Sequence, residues 1–167
     1  TCSGDIRTLV DYDNYVTVST TNARFCKLFQ DCASLTTAPE LPATTLAPFC
    51  YYGMFYNCAG LTTAPELPAT TLADYCYSSM FYHCASLTTA PELPAITLAP
   101  YCYKSMFQTT SLTTAPKLPA TTLAEGCYSY MFWNCKKLDN ITMLATDISA
   151  TSCLTQWVSA VASTGTF

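Results

Sequence analysis

The chain has 167 residues, half of them hydrophobic and 11% charged, with a net charge of −4 and a pI of about 4.6. That is enough for one domain with a substantial core, while the acidic balance excludes the cationic face that a nucleic-acid partner needs. No run approaches the roughly 18 apolar residues of a membrane span, so membrane insertion is not expected.

In chain order, residues 1–34 come first. They open at Thr1 with neither a methionine nor a secretory leader, which reads as a processed or excised fragment. They keep Leu9, Leu28, Phe29 and Cys32 in phase with the later copies but otherwise diverge, as expected of a unit covering an open end. Residues 35–138 are regular. Leu35, Leu61, Leu87, Leu112 and Leu138 each open a copy of one sentence, for example LTTAPELPATTLADYCYSSMFYHCAS, at spacings of 26, 26, 25 and 26. The short copy reads MFQTTSL where its neighbours read MFYNCAGL or MFYHCASL, which places the missing residue near Gln108. Residues 139–167 keep phase through Cys153 and Trp157, then fade into a second divergent unit.

Each copy has two halves. The first, about SLTTA, reads as a short strand halted by Pro39 and Pro42, which cannot donate to a ladder. The second carries Leu46, Cys50, Met54 and Cys58 four residues apart, repeated as Leu72, Cys76, Met80 and Cys84, a spacing that puts them on one helix face. Pro48, Asp74, Pro100 and Glu125 stand where a first helical turn favours proline or an acid. A short helix is therefore predicted over 47–58 and its counterparts, and a run of turns or 3₁₀ structure fits the same letters. One unit this small cannot bury its own apolar side, so copies must stack, at about 4.8 Å per coil if their strands pair in parallel. The expected fold is an α/β repeat: a single-domain solenoid of 26-residue coils, with short parallel β-strands on one face and short helical or 3₁₀ segments on the other.

Eleven cysteines suggest a disulfide scaffold, but their places in the repeat favour another reading. Cys50, Cys76, Cys102, Cys127 and Cys153 share one position; Cys32, Cys58, Cys84 and Cys135 share a second, with Thr109 filling it in the short copy. Stacking makes each set a ladder of buried free thiols packing as small hydrophobes. Parallel Cβ directions disfavour bridges along such a ladder, and a line of thiols supplies no metal tetrahedron. Disulfides are the second reading, with Cys2 and Cys26, outside the ladders, best placed to be oxidised.

No catalytic, cofactor or metal site is predicted, and the chain reads as a non-enzyme. His83 is the one histidine, with no acid pair or glycine-rich phosphate loop beside it. Cysteines in an apolar core lack the lowered pKa and base partner of a nucleophile. Glu40, Glu66 and Glu92 form a solvated acidic row that ends at Lys117. The adjacent threonines, Thr36 with Thr37 and their equivalents, are expected to point to opposite faces of their strand. Tyr51, Tyr77, Tyr103 and Tyr128 do not vary between copies, which suggests packing between coils. The rest of the helical half does vary, and it interleaves aromatic with polar residues. Tyr52, Tyr56, Tyr75, Tyr82, His83, Tyr101, Lys104, Gln108, Tyr130 and Trp133 form the candidate binding surface, since tyrosine and tryptophan give large contact area at low entropic cost. The bland alternative is drift at exposed positions.

The unit MFYNCAGLTTAPELPATTLADYCYSS resembles the BspA-like leucine-rich repeats of bacterial surface proteins. The resemblance rests on Met-Phe, two variable residues, Cys, a small residue, Ser or Gly and Leu, then a strand and a proline turn, over about residues 28–157. The chain departs from the general pattern with Ala38, Ala64, Ala90 and Ala115 where a large aliphatic is usual, and its 167 residues carry no surface anchor. The resemblance implies an extracellular or cell-surface adhesion module whose partner is a host or cell-surface protein or a glycan. The alternative is a structural spacer or assembly module, of a surface layer or phage fibre, with no ligand of its own.

Overall fold

The structure, a computed structural model, describes residues 2–21 and 24–166. Residues that share a letter between copies meet in space. Thr37 pairs with Thr63, Thr89 with Thr114, Thr114 with Asn140 and Asn140 with Thr166, each through a parallel bridge 25 or 26 residues along the chain. Thr45 with Thr71 and Thr122 with Asp147 make a second set beyond the prolines. Each bridge is a single residue long, and no extended strand occurs among the described residues. Prolines such as Pro39 and Pro42 remove N–H donors between the two sets, and pairing there is reduced to single bridges at a residue between the prolines, Asp5 with Glu40 and Leu118 with Met143. Without a pleat, the alternation expected of the adjacent threonines fails. Thr36, Thr37, Thr62, Thr63, Thr88, Thr89, Thr113 and Thr114 are all exposed, in one strip.

The half of each copy expected to be helical is instead the run of turns that the same letters allow. Over 47–58, the amides of Cys50, Tyr52, Met54, Tyr56 and Cys58 each donate to the carbonyl three residues earlier, at 3.0–3.3 Å. The amides between them cross to the next copy: Phe49 to Asp74, Tyr51 to Cys76, Gly53 to Ser78, Phe55 to Met80 and Asn57 to Tyr82, at 2.8–3.0 Å. Local turns and cross-copy bonds together use every N–H from Phe49 to Cys58 without a helix. Every fourth residue is left-handed: Phe49, Gly53 and Asn57 have φ of 60°, 55° and 57°, and Tyr75, Ser79 and His83 repeat this at 56°, 56° and 58°. A positive φ at the third place of a turn is the type II arrangement, which welcomes proline at the second. Pro48 and Pro100 stand there, so they preset a turn rather than a helical first turn. Cys50 with Tyr51 and Met54 with Phe55 are buried in pairs, while Tyr52, Tyr56 and Asn57 reach the surface and Gly53 is covered.

Stacking excludes the helix. An α-helix is about 10 Å across with its side chains, whereas the rings of Phe49, Tyr75 and Tyr101 follow one another at 4.9 and 4.7 Å. A ribbon one backbone thick is what advances at the strand-like rise of the opposite face.

The core is a set of ladders. Phe29, Phe55, Phe81, Phe107 and Phe132 stack with centroids 5.6–5.8 Å apart and planes within 8°. Beside them run Tyr51, Tyr77, Tyr103 and Tyr128 at 5.8–6.1 Å, each 1% exposed. The hydroxyls of Tyr77 and Tyr103 find no partner among the described residues. Cys50, Cys76, Cys102, Cys127 and Cys153 are buried free thiols, as are Cys58, Cys84 and Cys135. The second set has a specific role: Cys58 Sγ donates to the Phe29 carbonyl at 2.9 Å, Cys84 to Phe55 at 3.1 Å and Cys135 to Phe107 at 3.0 Å. A small side chain with one weak donor suits that site.

Three placements differ from the sequence expectation. Asp5 bridges Glu40, 35 residues on and so nine more than the repeat, because the first coil holds extra chain with 3₁₀ turns at Ile6–Leu9 and Tyr15–Thr17. Leu9 and Leu28 are consequently exposed, and Ile6, Val18 and Phe25 enter the core instead. Cys32 keeps its ladder register but is exposed at the end of its row. In the short copy Thr110, not Thr109, takes the cysteine place: its Oγ1 donates to the Phe107 carbonyl at 2.9 Å and lies 3.3 Å from Cys135 Sγ. The missing residue therefore falls between Ser111 and Leu112 rather than near Gln108, because the turn bonds hold Phe107 to Thr110 in register and leave the looser link to Leu112 to absorb the loss.

Thr109 itself is left-handed, with φ of 60°, where the flanking copies place His83 and Asn134. A β-branched residue is strained there, whereas asparagine tolerates the region. Thr109→Asn should raise the unfolding free energy by about 1 kcal/mol, read from denaturant midpoints at unchanged m. An unchanged or lowered midpoint would count against the left-handed ribbon.

Candidate functional site

The ribbon brings one or two residues to the surface between successive buried pairs, and this decides where the candidate residues lie. All ten reach the surface. His83 is exposed; Tyr52, Tyr56, Tyr75, Tyr82, Tyr101, Lys104, Gln108, Tyr130 and Trp133 are half-buried. The ribbon sorts them into columns. Tyr75 and Tyr101 stack with Phe49, planes within 9°. Tyr56 and Tyr82 stack at 4.5 Å and 2°, and the cross-copy bonds continue their column through Gln108 to Trp133. Lys104 belongs to the column of Tyr52 and holds its Nζ 5.6 Å from the Tyr101 ring centre, a cation–π contact. Tyr130 falls in the column of Gly53 and Ser79, left-handed like them.

Left-handed backbone aims the first column. Phe49, Tyr75 and Tyr101 have φ of 60°, 56° and 55°, so each ring leaves the ribbon at the same angle and lies flat on the next. The column ends at Gly126, where an added Cβ would collide with Tyr101 Cε1. That glycine lets Tyr101 fold down, and its Oη donates to Glu125 Oε1 at 2.5 Å. The acceptor carboxylate, before burial, holds the Tyr101 phenol above its ordinary pKa.

The ladder thiols carry no such chemistry. Burial pushes Cys50 and Cys76 up to about 12 and Cys58 to about 11, which keeps them protonated at neutral pH. Among the described residues no three of His, Cys, Asp and Glu are grouped to hold a metal ion, and no helix is long and apolar enough to cross a membrane. The chain matches no family model, no curated protein and no solved structure.

Sequence reading omitted two features of this face. Phe49, 42% exposed, belongs with Tyr75 and Tyr101, and its shared repeat position was the available signal. Lys136 and Lys137 line a notch with His83, and the signal was two lysines standing where other copies have Ala59-Gly60 and Ala85-Ser86. On another side, successive PELPA arms leave a cleft of about 320 Å³ lined by Pro65, Leu67, Pro68, Pro91 and Pro94 with Glu66 and Glu92. The solvated acidic row expected of the sequence borders it.

Proposed function

We propose that this chain is a leucine-rich-repeat-like solenoid that acts as a non-enzymatic binding module at a cell surface, with a protein or glycan ligand held by the aromatic columns of the turn ribbon. The observation that carries the reading is the pair of surface ring stacks, Phe49–Tyr75–Tyr101 and Tyr56–Tyr82. Flat rings already held in place present apolar area with little rotamer entropy left to lose on binding. Their edges carry hydroxyls and, at Lys104, a cation, which supply the polar contacts that fix orientation. The sequence resemblance to BspA-like surface repeats points the same way.

Tyr82→Ala with Trp133→Ala should weaken retention on immobilised host matrix proteins or mixed glycans by at least about tenfold, with a smaller loss of stability than truncation of a fully buried ladder ring, because both side chains are half-buried. A wild-type chain with no saturable partner in those assays would instead leave the spacer reading.

A further inference from the structure

The one irregular copy leaves a mark on the surface. The cross-copy bonds keep register through Thr109, which donates to Trp133, and the missing residue falls just after Ser111. In the other copies the opening leucine closes a turn onto the cysteine position: Leu61 to Cys58, Leu87 to Cys84 and Leu138 to Cys135, at 2.9–3.0 Å. Leu112 makes no such bond; Ser111 donates back to the Leu87 carbonyl instead. The gap is an open notch of about 270 Å³ bordered by His83, Thr109, Ser111, Asn134, Lys136 and Lys137.

We infer that this notch is an anion subsite of the proposed binding face and selects acidic glycans, seating a carboxylate or sulfate group of the sugar. Three observations converge on it. Lys136 and Lys137 are exposed, and the ion pair found among the described residues joins Arg7 to Asp5, so neither lysine has a bound carboxylate. They are two of only seven lysines and arginines in a chain of net charge −4, and they stand together at the place where the repeat breaks. Third, the notch adjoins the column in which Gln108 separates Tyr82 from Trp133. A sugar ring laid on Trp133 would place its acidic substituent within reach of the lysines, while Asn134, Thr109 and Ser111 offer neutral donors. Aromatic stacking supplies area, and the cations supply selectivity and a salt-dependent encounter.

The inference rests on the glycan form of the proposed function, and the test separates the two. Binding of the full chain is titrated against a galacturonate oligosaccharide, a sulfated dextran fragment and neutral dextran. Either acidic probe should bind at least about tenfold tighter than the neutral one, with a preference that falls as salt rises; the better of the two identifies the anion. K136Q with K137Q should erase that preference and leave neutral binding unchanged. Inserting one serine between Ser111 and Leu112, which restores the 26-residue period, should do the same with no loss of thermal stability. Trp133→Ala should weaken all three probes. Equal binding of acidic and neutral glycans, or lysine variants that keep the preference while W133A loses binding, would overturn the notch and leave the aromatic face standing. No glycan binding at all would overturn the notch together with the glycan form of the proposed function.

Discussion

Phe81→Ala should destabilise the protein by about 3–5 kcal/mol, the upper range for removing a buried aromatic. Phe81 is 0% exposed, and its ring lies between Phe55 and Phe107 at 5.7 Å on either side. Truncation therefore breaks two stacked pairs, each contributing about 0.5–1.5 kcal/mol beyond area burial, and opens a gap that the neighbours cannot close. The backbone around the gap is pinned by cross-copy amide bonds, Phe55 to Met80 and Phe81 to Met106. The same change at Phe29, which sits half-buried near the end of the ladder, should cost less than half as much. Chemical denaturation of the two variants measures the difference. Equal losses at Phe29 and Phe81 would mean that the ladder does not act as a continuous stack.

Alkali should unfold the protein by titrating its buried thiols. Burial pushes the thiols of Cys50, Cys76 and Cys84 up to about 12 and those of Cys58 and Cys127 to about 11, from an ordinary 9.0. A folded-state pKa above the unfolded one means that the native protein holds its protons longer. Stability is thus complete below pH 9 and is lost as pH rises through the interval from 9 to 12. Each such thiol removes about 1.4 kcal/mol per pH unit across its own interval. The phenols of Tyr51, Tyr77, Tyr103 and Tyr128 are raised as well, again chiefly by burial, and add to the loss above pH 10. Urea midpoints should hold level up to about pH 9 and fall steeply between about pH 9 and about pH 12. Over the same range a thiol reagent should pass from labelling the exposed Cys26 and Cys32 to labelling all eleven cysteines. A midpoint that stays level, or rapid labelling of ladder thiols at neutral pH, would place those sulfurs in contact with water.

The two predictions probe the same arrangement from different sides. Aromatic rungs stabilise the stack through contact between neighbours, and thiol rungs do so while they remain neutral. Neither set depends on regular helix or sheet. Single-residue bridges and interlocking turns carry the backbone bonding, so the side-chain ladders are what make the stack continuous.

Much of the interior could be read directly from the letters. Cys50, Cys76, Cys102 and Cys127 recur at one place in a near-exact repeat, and an identical local sequence in an identical setting must meet an identical environment; all four are 0% exposed. The invariance of Tyr51, Tyr77, Tyr103 and Tyr128 carried the same information. Helix against turn ribbon could not be settled by spacing alone. Residues four apart drift only about 40° per step on a helix, so Cys50, Met54 and Cys58 suit either. What distinguishes them is that Tyr51 and Phe55 are buried too, so that burial comes in adjacent pairs with a period of four. Gly53 with Asn57, and Gly126 with Asn134, hinted at it, being residues that accept positive φ at four- and eight-residue spacing.

By itself, then, the sequence determined the repeat, its irregular copy and which letters recur as core, because these are properties of order along the chain. The tertiary structure alone decided that the second half is a ribbon of turns, since the choice depends on the distance between copies, and a rise near 5 Å leaves no room for a helix of about 10 Å. It also decided that Thr110 fills the cysteine place, that both threonine rows face solvent, and that Lys136 and Lys137 border a notch with His83. Each of these depends on how neighbouring copies of the repeat meet, where position in the repeat names the neighbour but not the direction in which a side chain leaves the backbone.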